Sequence, residues 1–398
     1  MSYNFNEIID RKNSNAISVD GFRDFILKDN PNAELSYEDD HLIKMWVADM
    51  QIASPEVVIR AIRNRLDGRI FGYTRIFDPA YYESFAAWAK ARYNCHFKED
   101  DLQISNGVVP ALYELIDYIC KPDEKILFVT PSYGPFKNAV EHNNREYVCS
   151  ALANNDGYFT IDFSDFEAKA SDEKTVLCIF CNPHNPTGRA WNEEELKKVG
   201  DICIRHNLWI ISDEIHCDLL RVGRKHIPMA AVHPDYDRII TCMAASKTFN
   251  IAGLMISNII IPNQALKETW QKRYSSLQNP LSVVAAQAAY THGADWLDNL
   301  RVHLDDNFHF TANYLAENLP DAGFRIPEAT YLAWIDLTSY LPDEDNLPLY
   351  FAKKAGVILE GGNMFVGNAN GFIRLLMACP RSVLEEALRR ISNALTKC

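Results

Sequence analysis

Thr241-Cys-Met-Ala-Ala-Ser-Lys247-Thr-Phe-Asn-Ile-Ala-Gly253-Leu254 reads as the end of one apolar strand, a break of small residues presenting a single lysine, and a turn through Gly253 into a second apolar run that ends at Ile261. A lysine set between two buried strands does not lie on an ordinary solvated face. Desolvation disfavours its ammonium form, lowers its pKa and makes the amine a nucleophile and a base. A Schiff-base lysine needs both properties. Taken alone, Lys247 better fits a lysine that snorkels to water from a strand end. Ser246-Lys247-Thr248 also suggests a phosphate loop of the Walker type, but that loop requires a glycine just before its lysine, and Ala245 and Ser246 stand there.

Upstream of this stretch, from about Leu102, short β-rich runs alternate with helical patterns. The apolar runs are Leu102–Ser105, Ile126–Thr130, Tyr147–Ser150, Val176–Cys181, Leu208–Ser212, Ile239–Met243 and Met255–Ile261. Val108, Leu112, Leu115, Ile116 and Ile119 share one helical face. Leu196, Val199, Cys203 and His206 share another, preceded by Asn192 as a cap and by three glutamates that suit a helix N-terminus. Such alternation predicts an α/β unit with a mostly parallel sheet covered by helices on both faces. Downstream of about residue 295 a long helix precedes strand patterns at Tyr331–Leu337 and Phe372–Leu376. A last helix carries Ser382-Val-Leu-Glu385 as a capping box and Leu384, Leu388, Ile391 and Leu395 as its buried stripe. The expected division is an N-terminal arm (1–45) packing with the small unit, a large α/β domain (46–294) and a smaller α+β domain (295–398).

The 398 residues are 47% hydrophobic and 23% charged, enough to bury a large core. Forty basic against 53 acidic residues give a net charge of −13. That balance speaks against nucleic acid and against an anionic membrane surface as partners. No run reaches the roughly 18 apolar residues of a membrane helix, and the N-terminus has no signal-peptide pattern. Ten cysteines without regular spacing, several inside apolar runs, read as reduced thiols of a cytoplasmic protein.

Ligands of open α/β sheets bind beyond the carboxyl ends of the strands, and unusual polar residues stand at those ends here. Ser105-Asn-Gly107-Val-Val-Pro110 lies between a strand and a helix, where free amides make an anion site or simply a tight turn. Cys181-Asn-Pro-His-Asn185-Pro-Thr-Gly188 is a stiff loop able to aim a side-chain amide. Cys178, Cys181 and His184 have a metal-like spacing, but a structural zinc site needs a fourth ligand and no second knuckle follows, so no metal is expected. Ser212-Asp213-Glu-Ile-His216 ends a buried strand with an acid that needs a partner, for which a protonated ring nitrogen, an arginine or a helix cap would each serve. Arg374, inside the apolar run Phe372–Leu376, suits a carboxylate gripped by two prongs, from a substrate or in a structural ion pair.

In that order, Asn-Pro-His-Asn-Pro-Thr-Gly, Ser-Asp-Glu-Ile-His, Ser-Lys-Thr-Phe-Asn-Ile-Ala-Gly-Leu and the late arginine strand resemble the fold type I pyridoxal-5′-phosphate enzymes. More narrowly the chain resembles the MalY/PatB-type cystathionine β-lyases, which are aminotransferase-like carbon–sulfur lyases. Met45-Trp-Val-Ala-Asp-Met50, Phe71-Gly-Tyr-Thr74, Pro131-Ser-Tyr-Gly-Pro-Phe136 and Ala378-Cys-Pro-Arg381 extend the resemblance over nearly the whole chain. It implies a large domain with a mostly parallel seven-stranded sheet between helices and a smaller α+β domain.

The resemblance also implies roles. Lys247 would hold pyridoxal phosphate covalently and act as the catalytic base. Asp213 would pair with the pyridinium nitrogen, Asn185 with the phenolate oxygen, and Tyr133 would stack on the ring. His216 stands where aminotransferase relatives place a tyrosine. The amides of Val108 and Val109, with Ser246, would hold the phosphate. Arg374 would bind the substrate carboxylate, and Tyr73 would reach the site of the other subunit in a homodimer. The sequence departs from the pattern at Gln51, where an Asp is usual, in Ile17–Phe22, at Ala244, where many relatives have a serine, and in the apolar run after Arg374. The implied reaction is α,β-elimination from cystathionine or a related S-substituted cysteine. An aminotransferase built on the same site, and a cofactor-binding regulator with weak turnover, are the alternatives.

Overall fold

The structure, a computed structural model, describes residues 3–274, 277–367 and 369–396; the tenth cysteine, Cys398, lies outside them. Eight strands build the large sheet: β1 (Leu102–Ser105), β2 (Lys125–Thr130), β3 (Glu146–Asn155), β4 (Tyr158–Ile161), β5 (Thr175–Cys181), β6 (Trp209–Asp213), β7 (Ile239–Met243) and β8 (Ser257–Ile260). Their spatial order is β1-β8-β7-β6-β5-β2-β3-β4. From β7 through to β3 every neighbour is parallel, while β8 runs against both β7 and β1.

The continuous apolar runs of β2, β5, β6 and β7 follow from this position, since helices cover both faces and almost every residue is buried. Val108–Ile119 and Gly134–His142 pack on one face, and Glu193–Arg205 packs on the other through Leu196, Val199 and Cys203. The capping box at Asn192 forms as its residues predict. The Asn192 side chain accepts from the Glu195 amide and the Glu195 carboxylate accepts from the Asn192 amide, each at 2.9 Å.

Two expectations differ from the structure. The sheet has eight strands rather than seven, because β4 folds back on β3 as an antiparallel hairpin around Asp156-Gly157. Its alternating pattern, half-buried then buried, belongs to an edge strand and is too short to stand out in the sequence. The last helix, Arg381–Thr396, does not use Ser382 as its cap. It begins directly after Pro380, whose carbonyl accepts from the Val383 and Leu384 amides, so Ser382 lies inside the first turn. Leu384, Leu388, Ile391 and Leu395 are its buried residues, together with Ala387 and Ser392.

A second, antiparallel sheet has the order β9-β11-β10, with β9 at Leu332–Asp336, β10 at Glu360–Gly361 and β11 at Phe372–Leu376. Arg374 sits in its middle strand, opposite Trp334 on one side and Glu360 on the other. Near the N-terminus, Ile43–Lys44 pairs in parallel with Val357–Ile358, and Phe22, Leu27 and Trp46 pack around Ala352 and Ile358. Among the described residues no helix is long and apolar enough to cross a membrane.

Candidate active site

The carboxyl ends of β5, β6 and β7 lie side by side, with Cys181 opposite Asp213 and Asp213 opposite Cys242. Asp213 is buried, and its carboxylate accepts one backbone hydrogen bond, from the Ile215 amide at 3.2 Å. Burial pushes its pKa up to about 7, against a smaller downward pull from that amide and from Lys247. An acid in this state lacks a cationic partner. Three residues on, His216 is buried, held neutral with its pKa lowered to about 3 by burial, and its Nδ1 has no partner. Its ring meets Tyr331 edge-on, with centroids 6.0 Å apart.

Lys247 lies in the short turn of helix that follows β7. Its Nζ donates to the Ala48 carbonyl at 2.7 Å, and the buried Tyr331 hydroxyl donates to the same oxygen at 3.0 Å. Burial lowers the lysine pKa to about 8; Asp49, Asp213 and Glu360 oppose the shift, and Arg374 adds to it. Asn250, three residues further, fastens this loop to the Met45–Ile52 segment. It donates to the Met50 and Ile52 carbonyls at 3.0 and 2.7 Å and accepts from the Met50 amide at 3.2 Å.

The loop after β5 delivers Asn185, whose Oδ1 accepts from Arg374 Nη1 at 3.0 Å. Gly188 ends that loop with φ 68°, and a Cβ there would sit 2.4 Å from the Pro327 Cβ, so the chain closes only with glycine. Next to it Arg189 is buried and grips both Glu195 oxygens, at 2.9 and 2.8 Å, and Glu328 at 2.9 Å. Cys181 and His184 are turned to local partners, the Pro183 carbonyl and the Thr187 hydroxyl. Among the described residues no three His, Cys, Asp or Glu side chains group as a metal site would.

Tyr133 stands just before the helix Gly134–His142, and burial pushes its hydroxyl up to about 12, with Arg374, Glu360 and Asp213 as its charged neighbours. Gly107 leads into the helix Val108–Ile119, whose N-terminus, with the Val108 and Val109 amides in its first turn, no side chain caps. Ser246 immediately precedes Lys247 in the same turn. Tyr73 stands apart from these groups in the single chain, with 95% of its surface exposed.

Three contributors were not singled out from sequence. The Ala48 carbonyl holds the lysine amine, Tyr331 donates to that same carbonyl, and Glu360 pairs with Arg374 across the small sheet. Glu360 could have been found by the reasoning applied to Asp213, since it too ends an apolar run, Val357-Ile-Leu-Glu360. Gln51 serves the backbone here, donating from Nε2 to the Lys44 carbonyl at 2.6 Å. Trp46 is buried, its indole donating to the Ser18 carbonyl at 3.0 Å and its own carbonyl accepting from Arg374.

The donor set fits pyridoxal phosphate. It offers a lysine whose pKa burial lowers to about 8, a buried acid without a cation, an uncapped helix N-terminus for a phosphate and an aromatic ring beside them.

The family described as aminotransferase class I and II matches residues 41–391. Cystathionine beta-lyase PatB of Bacillus subtilis is 38% identical over 362 residues, covering 89% of this chain and 92% of that protein. A solved PLP-bound C-S lyase from Staphylococcus hominis is 50% identical, with a TM-score of 0.94 over 99% of this chain and 98% of that one. Cystalysin from Treponema denticola, whose structure contains pyridoxal 5′-phosphate, is 32% identical, with a TM-score of 0.93 and full coverage of both chains.

Proposed function

The chain belongs to the family of class I and II aminotransferases, and from that premise we propose that it is a pyridoxal-phosphate-dependent carbon–sulfur β-lyase. Its substrates are cystathionine or related S-substituted L-cysteines, and its products are a thiol, pyruvate and ammonia. Two of the relatives named above are described as a cystathionine beta-lyase and a C-S lyase, which supports this reading. One observation in this chain carries the reading: a lysine amine lowered to about 8, set among Asp213, Arg374 and Glu360 at the strand ends.

Lys247 is the residue that would hold the cofactor covalently, with Asp213 at the ring nitrogen, Asn185 at the ring hydroxyl oxygen, Tyr133 on the ring face and His216 beside it. The Val108 and Val109 amides and Ser246 would take the phosphate. When bound, the cofactor supplies a carbonyl that captures the substrate amine and a ring that takes up electron density from the α-carbon. Asp213, once ionised, would keep the ring nitrogen protonated. Arg374 orients the substrate by its carboxylate. The freed Lys247 amine removes the α-proton, which a base of pKa near 8 does at neutral pH. The Cβ–S bond then breaks with its electron pair on sulfur, and the remaining enamine hydrolyses to pyruvate and ammonia.

Incubating the holoenzyme with a panel of S-substituted cysteines tests the reading. Pyruvate and free thiol in equal amounts are expected. Turnover that requires an added keto acid and yields no pyruvate would instead make the chain an aminotransferase, and intact cofactor absorbance without turnover would make it a binding protein.

The working unit is a homodimer in this reading. Tyr73, Phe77 and Ile70 expose 95%, 89% and 75% of their surfaces, an apolar patch that a second copy would cover. Tyr73 then lines the other subunit's site. The nine described cysteines are unpaired, which supports a cytoplasmic location.

A further inference from the structure

Arg374 offers a carboxylate two edges, Nε with Nη2 or Nη1 with Nη2, and both edges need Nη2. Here Nη2 is already engaged twice, by the Trp46 carbonyl at 3.1 Å and by the Glu360 carboxylate. Nη1 gives one hydrogen bond to Asn185, and Nε has no partner although it is buried. Glu360 reaches Arg374 because the two residues are directly opposite in adjacent strands β10 and β11, which puts both side chains on one face. Its side chain is 16% exposed, beside Arg374, Lys247 and Tyr133.

We propose that Glu360 is a specificity-determining residue that occupies the substrate carboxylate's place on Arg374 and must yield before an amino acid can be gripped by two prongs. The inference rests on Arg374 being the carboxylate receptor, as in the function proposed above. Two carboxylates cannot share Nη2 while Trp46 holds its other hydrogen, so binding of one weakens binding of the other. Substrate affinity is therefore set below what the bare guanidinium would give. Each carboxylate-bearing ligand meets this cost, and an amine without a carboxylate does not.

The test is Glu360→Gln in the holoenzyme, which keeps an oxygen acceptor for Arg374 and removes the charge. KM for an S-substituted cysteine is expected to fall about tenfold, by more than any change in kcat. The dissociation constant of glycine, read from the visible absorbance of the bound cofactor, falls likewise. That of ethylamine, which has no carboxylate, does not change. An unchanged or raised KM, or equal shifts for glycine and ethylamine, overturns the proposal.

If the variant does not fold, a crystal structure of the wild type soaked with glycine decides. Glu360 is expected to have left Nη2, and a retained Glu360–Arg374 contact with the ligand bound overturns the proposal. If no sulfur amino acid yields pyruvate yet the glycine shift occurs, the lyase reading fails and this one stands. Pyruvate formation without the shift is the reverse case.

Discussion

At the scale of the residue, the site is built from groups held in their less comfortable protonation states. Asp213 keeps its proton in the folded chain up to about pH 7, whereas its ordinary pKa is 3.8. The folded state then binds more protons than the unfolded one between those values, so cofactor-free stability falls as pH rises from about 4 through 7. Asp213→Asn removes that loss. The cofactor-free variant is expected to melt on the order of 3 °C higher than wild type at pH 8, measured by differential scanning calorimetry, while its affinity for pyridoxal phosphate drops. Lys247→Ala is expected to lower kcat/KM for β-elimination about 10,000-fold, checked by pyruvate release. Lys247, Asp213 and Arg374 were legible in the sequence because each interrupts or ends an apolar run. Tyr331 and the Ala48 carbonyl were not. A tyrosine in a strand and a backbone oxygen carry no such signal, and only the fold brings them to the lysine from 84 residues downstream and 199 upstream.

At the scale of the element, the loop that carries Asn185 depends on Arg189. This arginine joins the helix Glu193–Arg205, through Glu195, to Glu328 ahead of β9. Truncation would leave Glu195 without its cation and Glu328 with Arg224 alone, both at mostly buried side chains. Arg189→Ala is expected to cost about 3–5 kcal/mol in urea unfolding, with weakened cofactor binding because Asn185 loses its support. Gly188→Ala should damage the same loop through its contact with Pro327. Strand existence and the Asn192 cap were readable because apolar runs and capping residues act locally. The hairpin strand β4 and the true start of the last helix were not. The first is a short alternating edge, and the second was masked by a serine–glutamate spacing that also occurs one turn inside a helix beginning after Pro380.

At the scale of the whole molecule, the exposed Tyr73 surface makes the assembly testable. Sedimentation is expected to give a dimer. Mixing the Tyr73→Ala and Lys247→Ala chains under conditions of subunit exchange is expected to restore activity, since one of the two sites in each mixed dimer regains both residues; no recovery would show that each chain works alone. Dimerisation entered the sequence reading through family resemblance, because nothing in residues 70–77 by themselves distinguishes an interface from a solvated turn. The tether at Lys247 reaches further than the chemistry. The same amine that reacts also fastens the main chain at Ala48, and Asn250 fastens Met50 and Ile52 beside it. Whatever captures that amine unlatches the first of these ties and leaves Tyr331 as the remaining donor to the Ala48 oxygen. Occupancy of the lysine is thereby transmitted to the Met45–Ile52 segment, and loading with pyridoxal phosphate is expected to speed amide hydrogen exchange in residues 45–50 even as the rest of the protein becomes more rigid.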